Sequence, residues 1–285
     1  MIRKILVPVR GDGKGDNVLA HAAALAHRFK AHIEVTHCRP RPEDLIPYGV
    51  PIPDALRRQL VQNTYALADQ EEQGLKDEVH ALAQKLGLDD TGQNIGERAT
   101  VSFVEEVGRQ LDVIKRHGRL ADVICVAKPD RDRNLGTNTL KAALFHSGRP
   151  VLMCPPVETP PTELGKVVTI AWNGSSEAAR ALSEGMRIIC SADRIGILST
   201  GKDAGPGTSA EDLVAYLRLH GVTPELVTFE ASRSIGQDLL SQSAIFGADV
   251  MIMGAYGDSH ERETLFGGNT QTVIDRGNMP VWMSH

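Results

Sequence analysis

The chain has 285 residues, 41% of them hydrophobic, with a formal net charge of −5. That length allows one large domain or two small ones. Acidic and basic residues are interspersed without any run of five or six like charges, which excludes the electrostatic footprint of a nucleic-acid or anionic-membrane binder.

In chain order, the opening MIRKILVPVRG contains an apolar stretch too short for a signal peptide or membrane span, and no 18-residue apolar run follows. A soluble, cytoplasmic protein is expected. A first strand is predicted near 3–9, followed by GDGKG (11–15), whose GxGxG spacing is not the dinucleotide GxGxxG and reads as a strand-to-helix turn. The Ala-rich NVLAHAAALAHRF has helical period, and the β-branched HIEVTHC is a strand near 32–37. A proline-rich loop, 40–53, offers a lid, a partner-binding loop or an ordered surface excursion, and leads into a helical stretch ending about Leu86. Further strands are predicted near 99–104, 122–127 and 150–154. PPVETPPTELG (155–165) reads as a linker. Beyond it, strands are predicted near 166–171, 194–198, 225–229, 249–253 and 280–284. Cys38, Cys125, Cys154 and Cys190 form no CxxC pair, mostly fall within apolar patterns, and read as reduced core thiols.

The second series of elements repeats the first. KILVPVRGDG (4–13) aligns with KVVTIAWNGS (166–175), ADVICVAKPDR (121–131) with ADVMIMGAYGD (248–258), and RPVLMCP (149–155) with MPVWMSH (279–285). Three matches in one order mean a duplication, with domains at 1–156 and 165–285 and a linker at 157–164. Short apolar strands alternating with helices imply a parallel sheet covered on both faces. The expected fold is α/β: two tandem doubly wound domains, each a five-stranded parallel sheet of order 3-2-1-4-5, flavodoxin-like or Rossmann-like.

In such sheets ligands bind beyond the carboxyl ends of the strands where the order reverses. In half two that crevice lies between AWNGS, ending the first strand, and GAYG, ending the fourth. Gly267 and Gly268 then precede NTQTVIDRG, a short helical pattern with Asn269 or Thr270 as its expected N-cap. Glycines ahead of a helix N-terminus suit a phosphate cradle, although tight turns alone would also use them. GxxxxGK[ST] is absent, so no P-loop lysine is available.

The spacing G-x2-G-x9-G at Gly254, Gly257 and Gly267, with KVVTIAWNGSSEAARAL and MPVWMSH, resembles the universal stress protein family, and in particular its tandem two-domain members. That resemblance implies an ATP or ADP site in half two, with or without magnesium. By family position, the backbone of Ala171, Trp172 and Asn173 would meet adenine, with Leu198 and Met253 lining the base. Gly254 and Gly257 would approach ribose and phosphate, while Gly267, Gly268, Asn269 and Thr270 would hold phosphates. Two residues depart from the family pattern: Asn173 stands where many members have Asp, and Gly268 where Ser or Thr is usual. In half one Ala127 and Asp130 replace the first two glycines, so that half is expected to be degenerate. The resemblance also implies antiparallel pairing of the two closing strands into an internal pseudo-dimer, with a homodimer as a further option.

No HExxH, GxSxG, carboxylate dyad or metal-spaced Cys/His cluster appears. Ser175 and Ser176 read as helix caps. His260 and Arg262, with Asp258, Glu261 and Glu263, form either a phosphate and metal loop or an exposed charged one. Three readings stay open: a non-enzymatic, nucleotide-responsive stress regulator with an unidentified protein partner; a slow metal-dependent ATPase or phosphotransferase; and a ligand-free interaction scaffold.

Overall fold

The computed structural model describes residues 1–9, 15–39, 41, 72–133, 135–201, 208–257 and 268–285. The proline-rich loop 40–53, apart from Arg41, most of GDGKG, and the stretch Asp258–Gly267 lie outside the described residues.

Half one runs β1 (Lys4–Val9), α1 (Gly15–Phe29), β2 (His32–Arg39), α2 (72–85), β3 (Thr100–Val107), α3 (Gln110–Gly118), β4 (Val123–Ala127), α4 (Thr137–His146) and β5 (Val151–Cys154). Half two runs β6 (Val167–Ala171), α5 (Ser176–Ile189), β7 (Arg194–Ser199), α6 (Ala210–Leu219), β8 (Glu225–Thr228), α7 (Ile235–Phe246), β9 (Val250–Gly254), α8 (Gly268–Arg276) and β10 (Val281–Ser284). The strands fall where the apolar runs placed them, and each half has the order 3-2-1-4-5 with parallel neighbours.

The repeated Ala-Asp-Val has a structural reason. Asp122 accepts the amides of Arg3 at 2.6 Å and Lys4 at 2.9 Å. Asp249 accepts those of Gly165, Lys166 and Val167 at 2.8, 2.8 and 3.1 Å. In both halves the carboxylate before the fourth strand satisfies the donors at the mouth of the first, groups that would otherwise lack partners.

The two sheets are one. β5 and β10 pair antiparallel, with Leu152 opposite Trp282 and Met153 opposite Val281, giving ten strands in the order β3-β2-β1-β4-β5-β10-β9-β6-β7-β8. Side chains alternate across this junction: Leu152, Cys154 and Trp282 enter the core under α1, α2, α5 and α6, while Val151, Met153, Val281 and Met283 enter the core under α3, α4, α7 and α8. Both cores therefore cross from one half into the other. Arg28, at the end of α1, donates to the carbonyls of Leu164 (3.1 Å) and Ser191 in half two. Leu164, inside the expected linker, is itself buried at 1% exposure, so the end of that segment is part of the core.

Cys125 and Cys154 are buried and Cys38 is half-buried, as core thiols should be. Cys190 departs from that reading: it is exposed, because it sits at the C-cap of α5 where the helix leaves the sheet.

Candidate functional site

β6 and β9 are neighbours, and both end on the same side, so AWNGS and GAYG open on one crevice. A cavity of about 380 Å³ lies there. Its size falls within the range of small-molecule pockets. Ala171, Trp172, Asn173, Leu198, Met253, Gly254, Gly257, Gly268, Asn269 and Thr270 all line it. Gly267 lies outside the described residues.

The floor is apolar, made of Leu198, Met253, Phe229, Ile235 and Leu239, and the rim is polar, made of Asn173, Ser175, Thr200, Asn269 and Thr270. Leu198 and Met253 point to a core that continues beneath them. Sequence reasoning missed Phe229, Ile235, Leu239 and Thr200, which arrive from β7, α7 and the loop after β8. Period alone places them on buried faces but not at a cavity.

Trp172 forms one wall. Its amide donates to the Leu198 carbonyl at 3.0 Å, extending the β6–β7 ladder by one residue and occupying a backbone donor in the expected adenine region. Its indole Nε1 donates to the carbonyls of Thr208 and Ser209 at 2.9 and 3.2 Å, clipping the ring to the start of α6. Ser209 caps that helix reciprocally with Asp212, so the anchor is itself held.

At the start of α5, Ser175 Oγ accepts from the Ala178 amide at 3.2 Å, bearing out the capping role read for it. Asn173 Oδ1 accepts from the Ser175 amide at 3.2 Å.

The glycines differ in what requires them. A Cβ on Gly254 would lie 2.5 Å from the Ala178 nitrogen and 2.6 Å from the Glu177 carbonyl carbon. The main chain of α5 occupies that space, so the fold demands glycine there whatever else the cavity does. A Cβ on Gly257 would meet the Glu177 carboxylate, with Oε2 at 3.0 Å. A Cβ on Gly268 would meet nothing within 4 Å among the described residues. Between the first two, Tyr256 is a non-glycine residue at φ 57°, a conformation that costs about 1–3 kcal/mol unless its surroundings impose it. Here they do. Its amide donates to Thr270 Oγ1 at 3.3 Å, and its ring packs on Phe145 with centroids 5.2 Å apart. Burial pushes the Tyr256 hydroxyl above its ordinary pKa.

The expected N-cap role of Asn269 or Thr270 is corrected. The helix is already formed at Gly268, which places both residues in its first turn. The Thr270 hydroxyl is engaged by the Tyr256 amide, and Thr270 is buried, while Asn269 and Gly268 are exposed.

In half one the corresponding turn is closed on itself. Asp130 and Leu135 exchange two backbone hydrogen bonds of 2.9 Å, and a Cβ on Gly136 would lie 3.2 Å from the Pro129 Cα. Among the described residues no cluster of three or more metal-ligating side chains occurs, and no helix is long and apolar enough to cross a membrane.

The model of the universal stress protein family matches residues 1–135. The chain is similar in structure to a universal stress protein from Archaeoglobus fulgidus DSM 4304, with a TM-score of 0.70 and 17% identity over 99% of this chain and 95% of that one. A candidate universal stress protein from Pseudomonas aeruginosa UCBPP-PA14 superposes with a TM-score of 0.55 and 18% identity, covering 99% and 93% of the two chains. A functionally unknown protein from Pseudomonas aeruginosa PAO1 gives a TM-score of 0.54 at 16% identity, covering 99% and 92%. No curated protein matches the sequence.

Proposed function

We propose that this chain, a universal stress protein over residues 1–135 and a tandem of that fold throughout, binds an adenine nucleotide, ATP or ADP, in its second half. The observation that carries the reading is the cavity at the ends of β6 and β9, where the glycine turn, the strand-end residues and the start of α8 converge. An apolar floor suits a stacked base, and a polar rim ending at a helix N-terminus suits a sugar and phosphate. Magnesium, where used, would accompany the phosphates. The role is regulatory: occupancy changes the surface around the 257–268 turn that a protein partner reads, without requiring turnover. The antiparallel β5–β10 junction supports reading the two halves as an internal pseudo-dimer, in which half one would support and half two would bind.

The test is to heat-denature the purified protein and identify released small molecules by mass spectrometry, then titrate ADP and ATP calorimetrically. Gly268→Phe is the paired variant, because Gly268 lines the cavity and a Cβ there meets nothing within 4 Å among the described residues. An adenine nucleotide bound by the parent and lost in Gly268→Phe is the expected result. A parent that neither carries nor binds any adenine compound sinks the proposal in favour of a ligand-free scaffold.

A further inference from the structure

Glu177 lines the cavity, in the first turn of α5, and nothing in the glycine pattern points to it. Its position is locked. The main chain of Glu177 fills the space left by Gly254, with its carbonyl carbon 2.6 Å and its Cβ 2.9 Å from where a Gly254 Cβ would stand. The side chain then lies along the turn, with Cδ 3.5 Å and Oε2 3.0 Å from the Cβ position of Gly257. Oε1 accepts from the Ser176 hydroxyl at 3.0 Å, whereas Oε2 is buried without a hydrogen-bond partner.

Among the described residues that line the cavity with this carboxylate there is no Lys, Arg or His. At the head of α5 the Ala178 amide, which could otherwise attract an anion, already faces Ser175 Oγ, and the Ser175 amide faces Asn173 Oδ1.

We infer that Glu177 makes this cavity select adenine ligands of low phosphate charge, preferring adenosine and AMP to ATP. The inference rests on the adenine reading above and deepens it. A phosphate drawn to Gly257 meets a like charge with no cation among the described lining residues, and like charges brought together at a partly desolvated site discriminate strongly between ligands.

The experiment titrates adenosine, AMP and ATP into the full chain at low salt, with EDTA present, and repeats the series with Glu177→Gln and with Gly268→Lys. Each phosphate added should weaken binding to the parent, and removing the carboxylate charge should raise the ATP-to-adenosine affinity ratio about tenfold or more. Gly268→Lys, which adds a cation at another lining residue, should raise the same ratio by a different route. A parent that binds ATP as tightly as adenosine, or a ratio unmoved by both variants, overturns the inference while leaving the adenine site standing. Failure of all three ligands on parent and variants overturns both.

Discussion

The two halves share a fold but treat the turn after their fourth strand in opposite ways. In half two the turn borders a cavity, and Gly254 lets it lie directly on the head of α5. In half one Ala127 and Asp130 take the glycine positions, and the Asp130–Leu135 bridge joins the turn to itself. The half-one turn has another task. Lys128 Nζ donates to the Gly277 carbonyl at 3.0 Å, and Arg131 pairs with Asp275 at 2.8 Å, so the turn braces α8, the helix that borders the half-two cavity. The family match falls on half one and the glycine spacing on half two, so the βα framework and the glycine turn are separable features of the chain.

The largest expected effect comes from breaking what the halves share. Trp282, 1% exposed on β10 at the junction, belongs to the core that runs beneath α1 and α5. Trp282→Ala should cost about 3–5 kcal/mol in urea unfolding, with probes in both halves melting together. Separate transitions would show that the halves fold independently.

Gly254→Ala should cost about 1–3 kcal/mol, because its Cβ enters the α5 main chain. The matching change in half one, Ala127→Gly, should cost about 0.5–1 kcal/mol through backbone entropy alone. Equal costs would mean that the two turns are packed alike.

The strand-mouth carboxylates sharpen the comparison further. Asp249→Ala removes the acceptor of three amides and Asp122→Ala the acceptor of two. We expect a loss of about 2 kcal/mol for the former and less for the latter, by the same unfolding assay.

The smallest effect is a pH dependence confined to half one. Burial and the hydrogen bond that its protonated carboxyl donates to Glu72 push Glu105, on edge strand β3, up to about 7, against the lowering influence of Arg39. The folded state thus holds that proton more tightly than the unfolded chain. The stability it contributes is full below the ordinary glutamate range and is lost as pH rises through about 7. Carboxyl NMR titration should find this resonance, and Glu72→Gln should move its midpoint. An ordinary midpoint in the parent would remove the effect.

Much of this was legible in the chain. Strand positions follow from short apolar runs, the duplication from three aligned blocks, and the crevice from the rule that ligands sit where strand order reverses. Ser175 was readable as a cap because capping is decided within four residues. Thr270 was not, because a residue 14 positions away, Tyr256, engages its hydroxyl. Cys190 was misread because an apolar helix pattern does not reveal where the helix ends relative to the sheet. Glu177 carries no local signal, and only its contact with a glycine 80 positions later gives it a place in the cavity wall.

By itself, then, the sequence determined two α/β units, their strand order and the region of the crevice, since these rest on local period and on repetition. Tertiary structure decided the rest. That β5 and β10 fuse two sheets into one, that both cores run through both halves, and that a carboxylate stands against Gly257 all depend on groups far apart in the chain. Such contacts are selected by packing density and by the satisfaction of buried polar groups, which no local pattern records.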